Sequence, residues 1–341
     1  MDGWSSCLTT TATVAGAYLA WYAVCAWQCR RAMPALRLRG SHCYVTGGSA
    51  GLGEHLANLL AEAGANVTIV ARNQDRLLAA QKRIQGHCAD PEQQRIVAIS
   101  ADVANAAEGT RALHRAIKAQ QGQAPKYVFA CAGLTTPRFF LEYRPQDFEQ
   151  TMQVNYFGAL HTIQEAAKLM IQHEVKGGRV VTVSSQAGLL GIPGYSEYTP
   201  TKAALRMLTE TLYYELAIYG IAAHCFLPAN IRTPGFEHEN QTKPEITRII
   251  DGDDEAMDPR DCAQCMLDGM AKGYPNITSD WLGDIVRATC RGVGPANNMA
   301  LDTLFVFLGW FLVPLWRVIV WWQAKSCRQA EAAQRKQVLS Q

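Results

Sequence analysis

The chain has 341 residues, 48% hydrophobic and 18% charged, and its 32 basic and 30 acidic side chains leave a net charge of +2. Such a composition is that of a globular protein and excludes a generally polybasic nucleic-acid binder or a Gly/Pro-rich fibrous chain, so no nucleic-acid partner is expected. The length exceeds one typical domain of about 100 to 200 residues, which leaves a surplus to be located.

The N-terminus supplies part of it. Residues 3–29 carry no formal charge and are followed by Arg30, Arg31, Arg37 and Arg39. A bilayer crossing takes about 20 apolar residues, so residues 1–39 are predicted to be a transmembrane helix with a basic flank. The basic residues follow the apolar run instead of preceding it, which argues against a cleaved signal peptide. By the positive-inside rule the N-terminus is luminal and the rest cytosolic. A buried or interfacial helix is the alternative. Seven of the eight Trp (Trp4, Trp21, Trp27, Trp310, Trp316, Trp321, Trp322) lie near the two ends, where interfacial aromatic belts would sit.

Residues 40–300 alternate short β-branched runs with longer Ala-, Leu- and Gln-rich stretches. Strands are predicted over 42–45, 66–71, 96–100, 127–130, 179–184 and 222–227, and helices over segments such as 52–63, 74–85 and 106–120. The strands are near-continuously apolar, as parallel strands buried on both faces must be. This alternation predicts an α/β fold, a Rossmann-type doubly wound parallel sheet in a single domain.

The first strand runs into Thr46-Gly47-Gly48-Ser49-Ala50-Gly51-Leu52-Gly53, and a helix follows. Glycines at 47, 51 and 53 let the backbone turn tightly and approach a pyrophosphate, which then meets the positive end of the helix. Ser49 and Leu52 belong to the same loop. The second strand ends Val70-Ala71-Arg72-Asn73. A carboxylate there would bind a free ribose 2′-hydroxyl, whereas Arg72 suits a 2′-phosphate, so NADPH is the expected cofactor, with Arg76 one turn further on as an assistant or a solvated charge.

Tyr198 and Lys202 are four residues apart on one helical face, and Ser185 precedes Tyr198 by 13 residues at a strand end. A phenol titrates near 10 and becomes a useful acid or base when a neighbouring cation lowers its pKa; Lys202 is the candidate. Ser184 adjoins Ser185, and the spacing favours Ser185.

With Asp102-Val103 after the third strand, Asn155 in Val-Asn-Tyr-Phe-Gly, and Pro228 with Thr233, residues 40–240 resemble the short-chain dehydrogenase/reductase family. The family's Asn-Asn-Ala-Gly turn reads Ala130-Cys131-Ala132-Gly133 here, and its Pro-Gly is Pro228-Ala229. The resemblance implies that Ser185 holds a substrate carbonyl oxygen and Tyr198 protonates it. It further implies that Lys202 binds the nicotinamide ribose and lowers the Tyr198 pKa, that Asn155 holds a proton-relaying water, and that Thr233 meets the carboxamide. Asp102 and Val103 would line the cofactor, and homo-oligomers are expected.

Ser184-Ser185-Gln186-Ala187-Gly188, Thr242-Lys243-Pro244-Glu245 and the apolar C-terminus resemble one branch of that family. It is bound to the endoplasmic reticulum membrane, its active site facing the cytosol, and its substrate is a lipid ketone carrying an amino group. A membrane-anchored steroid or retinoid dehydrogenase, or a catalytically silent nucleotide-binding scaffold, are the rival readings. Residues 230–251 fall where the family has its variable substrate loop, and Lys243 and Arg248 there read as solvated charges more readily than as substrate contacts.

Residues 304–322 are strongly apolar but contain Pro314 and Arg317 and precede Lys325, Arg328, Arg335 and Lys336. A crossing would carry this basic tail into the lumen, so residues 301–341 are expected to form a membrane-associated kinked hairpin or in-plane helix, with a helix buried on the body as the alternative. The basic residues gather beside the apolar segments and leave residues 40–316 at −5. Eleven scattered Cys suit a reducing compartment. Cys262-x-x-Cys265 lacks a second pair, so no metal site is expected. The sequons at Asn66, Asn240 and Asn276 read as coincidental.

Overall fold

The computed structural model describes residues 13, 14, 16–20, 23, 35–251 and 256–330. Most of the predicted N-terminal transmembrane helix lies outside the described residues. A seven-stranded, wholly parallel sheet in the order β3-β2-β1-β4-β5-β6-β7 forms the centre. Its strands are β1 (His42–Thr46), β2 (Asn66–Ala71), β3 (Ile96–Ser100), β4 (Tyr127–Ala130), β5 (Arg179–Val183), β6 (Ala222–Leu227) and β7 (Asn276–Thr278).

Helices cover both faces, as parallel strands require. Leu56 and Leu60 of α1 (Gly51–Glu62), Leu77 and Ile84 of α2 (Gln74–Gln85), and Met266 and Met270 of α9 (Pro259–Ala271) pack into one core layer with Val45, Ile69, Phe129 and Phe226. On the other face, Leu113 of α3 (Ala106–Ala119), Ile163 of α5 (Gly158–Gln172) and Leu205 of α6 (Thr199–Glu215) pack on Tyr44, Val70 and Val128. The alternating side-chain direction along each strand feeds both layers. The chain moves outward from β1 to β3 and returns to β4 beside β1, so a crevice opens at the carboxyl ends of β1 and β4, where open α/β sheets bind their ligands.

The six predicted strands are present, and β7 is a seventh. Three residues are too few for a period to show, and the segment had read as the sequon Asn276-Ile277-Thr278. Asn276 and Asn66 both lie buried in strands of the sheet.

Beyond β6 come α7 (Pro234–Thr242), α8 (Glu245–Asp251) and, after β7, α10 (Trp281–Thr289) and α11 (Met299–Ala330). The expected hairpin is corrected: α11 runs as one continuous helix through Pro314. The alternative of a buried helix also fails, because Trp310 (67%), Phe311 (65%) and Trp321 (58%) are exposed. Among the described residues, Met299–Ser326 is the one helix long and apolar enough to cross a membrane. An exposed apolar face of that extent calls for lipid or another apolar surface. A proline removes a single backbone hydrogen bond, a loss that so long a helix absorbs without breaking.

Candidate functional site

The predicted site residues gather along the carboxyl edge of the sheet. After β1, Gly47 holds φ +68°, and a Cβ there would lie 2.9 Å from the Ala132 backbone that follows β4. Gly51 holds φ +56°, with Thr233 Cγ2 2.9 Å from where its Cβ would be, and a Cβ on Gly53 would strike the Gly47 carbonyl. Glycine is therefore required by both conformation and space at 47 and 51, and by space at 53. No side chain caps the first turn of α1, where Ala50 is the N-cap. Open backbone amides at a helix start, beneath a glycine-rich loop, fit the pyrophosphate of a dinucleotide. Ser49 is half-buried in the same loop, and Leu52 is buried against the core.

The other cofactor candidates line the same edge. Arg72 and Arg76 are exposed, at the end of β2 and the first turn of α2, and Asn73 caps that helix by accepting from the Arg76 amide at 2.9 Å. After β3, Asp102 accepts from the Ala104 amide at 3.0 Å, and buried Val103 packs on Gly158. Thr233 caps α7 by accepting from the Phe236 amide at 3.1 Å, and its methyl group faces the glycine loop.

Strand β5 delivers Ser184 and Ser185 on opposite sides. Ser184 is buried and donates to the Lys202 carbonyl at 2.7 Å, a structural role. Ser185 is half-buried, its Oγ accepts from the Ala187 amide at 3.1 Å, and it lies close enough to Tyr198 to favour the phenolate, so its placement favours Ser185 as the reacting hydroxyl. Tyr198 stands at the start of α6, and one turn later Lys202 lies with Nζ 5.3 Å from the Tyr198 ring centre. Nζ donates to the Val183 carbonyl at 2.8 Å. Burial depresses Lys202 to about 8, against the pull of Cys225 and Cys131. The expected lowering of Tyr198 does not appear in the protein alone. Burial first, then the charge of Glu239, push Tyr198 well above the usual phenol range, and the Ser185 hydroxyl only partly offsets them.

Asn155 is fully buried in a π-helical turn, Gln153–Phe157, between α4 (Pro145–Met152) and α5. Such turns re-aim side chains and recur at functional sites. Its Nδ2 donates to the Leu134 carbonyl (2.9 Å) and Thr201 Oγ1 (3.1 Å), and its Oδ1 accepts from the Leu134 amide (2.8 Å). These bonds fix the loop after β4 against α6. Cys131, in the position of the family's Asn, is a thiol that burial pushes up to about 12, with Lys202 pulling the other way.

Several residues of this site were not predicted. Lys243 was read as a solvated loop charge, yet its side chain is fully buried, 2.7 Å from Asp251 and 3.1 Å from Glu239. Tyr195 reaches the same two carboxylates, and its ring centre lies 5.7 Å from that of Tyr198. The spacing of Tyr195 three residues before Tyr198 was the available signal. Arg248 donates to the Asn240 carbonyl at 2.7 Å and the Lys243 carbonyl at 3.2 Å, bracing the loop.

A dinucleotide cradle joined to a Ser-Tyr-Lys set on a β3-β2-β1-β4 sheet defines a nicotinamide-dependent oxidoreductase. Residues 41–244 match the short chain dehydrogenase family, and the chain belongs to it. The chain is 37% identical over 280 residues to 3-ketodihydrosphingosine reductase TSC10 of Cryptococcus neoformans, covering 82% of this chain and 83% of the relative. It is 35% identical over 266 residues to the 3-ketodihydrosphingosine reductase of Bos taurus, covering 77% and 78% respectively. Among solved structures, a short-chain dehydrogenase/reductase from Burkholderia phymatum in complex with NAD superposes with TM-score 0.65 at 21% identity, over 75% of this chain and 93% of that one. A short-chain dehydrogenase from Sphingobium yanoikuyae in complex with NADPH gives TM-score 0.60 at 22% identity, over 71% and 88%.

Proposed function

We propose that this protein reduces 3-ketodihydrosphingosine to dihydrosphingosine, with NADPH as cofactor, at the cytosolic face of the endoplasmic reticulum membrane. The observation that carries the reading is the Ser185–Tyr198–Lys202 set beside the glycine cradle, in a chain whose similarity to reductases of that name spans about four-fifths of its length. The glycine loop would hold the cofactor's pyrophosphate and Arg72 its 2′-phosphate, while Asp102, Val103 and Thr233 line the rest. Bound there, a reduced nicotinamide supplies a hydride. The side chains of this chain do the remaining work: Ser185 donates a hydrogen bond to the ketone oxygen, Tyr198 delivers the proton that makes it a hydroxyl, and Lys202 holds a positive charge beside the phenol. The long exposed apolar helix α11 gives a protein whose substrate dissolves in lipid a means of staying beside it.

Membranes carrying the protein, given the sphingoid ketone with NADPH or with NADH, are expected to yield the amino alcohol about tenfold faster with NADPH. Steroid turnover without sphingoid product would overturn the reading.

The pH dependence follows from Lys202, which carries its charge below about 8 and loses it above. Reduction requires a protonated Tyr198 and a cationic Lys202, and the free enzyme's pKa governs kcat/KM. The kcat/KM for reduction is therefore expected to be level below about 8 and to decline at higher pH, and a rise across that range would contradict the role given to Lys202.

A further inference from the structure

Helices α7 and α8 are fastened beside Tyr198 by an ionic cluster that the reaction as described leaves unused. Lys243 Nζ lies between the Glu239 and Asp251 carboxylates, 4.4 Å from the centre of the Phe236 ring. The Tyr195 hydroxyl reaches both carboxylates. One ammonium against two carboxylates leaves a negative charge uncompensated. Glu197, the residue before Tyr198, adds another: only 3% exposed, it accepts from the Thr136 amide (2.7 Å) and Thr135 Oγ1 (3.0 Å) through Oε1, while its buried Oε2 has no hydrogen-bond partner. A buried carboxylate oxygen without a partner is costly and calls for an explanation, of which an incoming cation is one. Of the nearby cations, Lys243 is already committed, Lys202 donates to the Val183 carbonyl, and Arg138, which lines a small cavity with Glu197, Tyr143 and Asp147, makes no ion pair with Glu197 among the described residues.

We propose that Glu239, Asp251 and Glu197, with Tyr195, receive the ammonium group of the substrate and so select an α-amino ketone over a plain ketone; the proposal rests on the ketone reduction read above. Lys243 shows that a primary ammonium fits the geometry: two carboxylates and an aromatic face surround it, the arrangement that holds alkylammonium groups. The substrate's own cation also repairs an electrostatic conflict. The charges of Glu239, Glu197 and Asp251 all oppose ionisation of Tyr198, and an ammonium lodged among them relieves that field when the substrate is in place.

The test compares the long-chain 2-amino-3-ketone with a chain-matched ketone lacking the amino group, in the full-length protein and in Glu239→Gln and Glu197→Gln variants. Wild type is expected to favour the amino ketone by about tenfold or more in kcat/KM, mostly through KM. Each variant is expected to lose about tenfold on the amino ketone and under about threefold on the plain ketone, with NADPH affinity held as the check on folding. Equal losses on both ketones, or a preference surviving in both variants, would overturn the site. Wild type reducing both ketones equally overturns the ammonium site and leaves ketone reduction standing; wild type reducing neither overturns the ketone reading, and the site falls with it.

Discussion

Replacing Tyr198 by Phe is expected to lower the rate of ketone reduction by about 10³-fold while NADPH binding and folding persist. General acid catalysis contributes about 10²–10⁴-fold, and the substitution removes the acid while keeping the ring. That ring has structural work of its own: it lies 5.7 Å from Tyr195 and 5.3 Å from Lys202 Nζ, contacts that Phe retains. Removing the hydroxyl beside Ser185 costs stability by about 1 kcal/mol, too little to unfold a domain. Product formation and cofactor affinity, measured on the same preparation, separate the two effects. A variant with undiminished product formation would remove Tyr198 as the proton donor.

The parts of this site legible in the sequence are those whose geometry is local. Gly47, Gly51 and Gly53 answer to one tight turn between a strand and a helix, and Tyr198 and Lys202 to one helical turn. Ser185 needed a longer reach, and the choice over Ser184 is made by the pleat of β5, which sends one hydroxyl into the core and the other toward Tyr198. Lys243 was misread because a charge in a loop has solvent as its default surroundings. Its burial depends on Glu239 one helical turn before it, on Asp251 at the end of α8, and on Tyr195, 48 positions earlier in the chain. No periodicity announces such a meeting. Pro314 was over-read for the opposite reason: a local rule for helix interiors in water gave a break where the surrounding apolar helix carries the chain through.

The second large effect concerns the joint between the catalytic body and α11. Arg287 of α10 donates to both oxygens of Asp302, at 2.7 and 3.1 Å, and the two side chains are 4% and 1% exposed. Burial alone disfavours the Arg287 charge, and the Asp302 and Asp284 carboxylates together more than offset it, so its pKa is raised. Asp302 also accepts from the Asn297 amide at 3.2 Å, and it stands in the first turn of α11, where a negative charge meets the helix dipole favourably. Asp302→Ala is therefore expected to cost about 3–5 kcal/mol, because it strands a buried guanidinium with only the more exposed Asp284 beside it. By contrast, loss of the Arg83–Glu54 pair, whose Arg is 54% exposed, is expected to cost about 0.2–1 kcal/mol. The double substitution Arg287→Met with Asp302→Leu removes both charges and should restore most of the loss, since replacing a buried pair by apolar groups is often neutral. Denaturant unfolding of the full chain in detergent checks all three. A mild effect of Asp302→Ala, no larger than that at the surface pair, would mean that the joint is held by apolar packing instead. Because α11 also packs on α8, which carries Asp251, loosening this joint is expected to lower turnover of the lipid ketone ahead of cofactor binding, joining membrane attachment to the fit of the substrate loop.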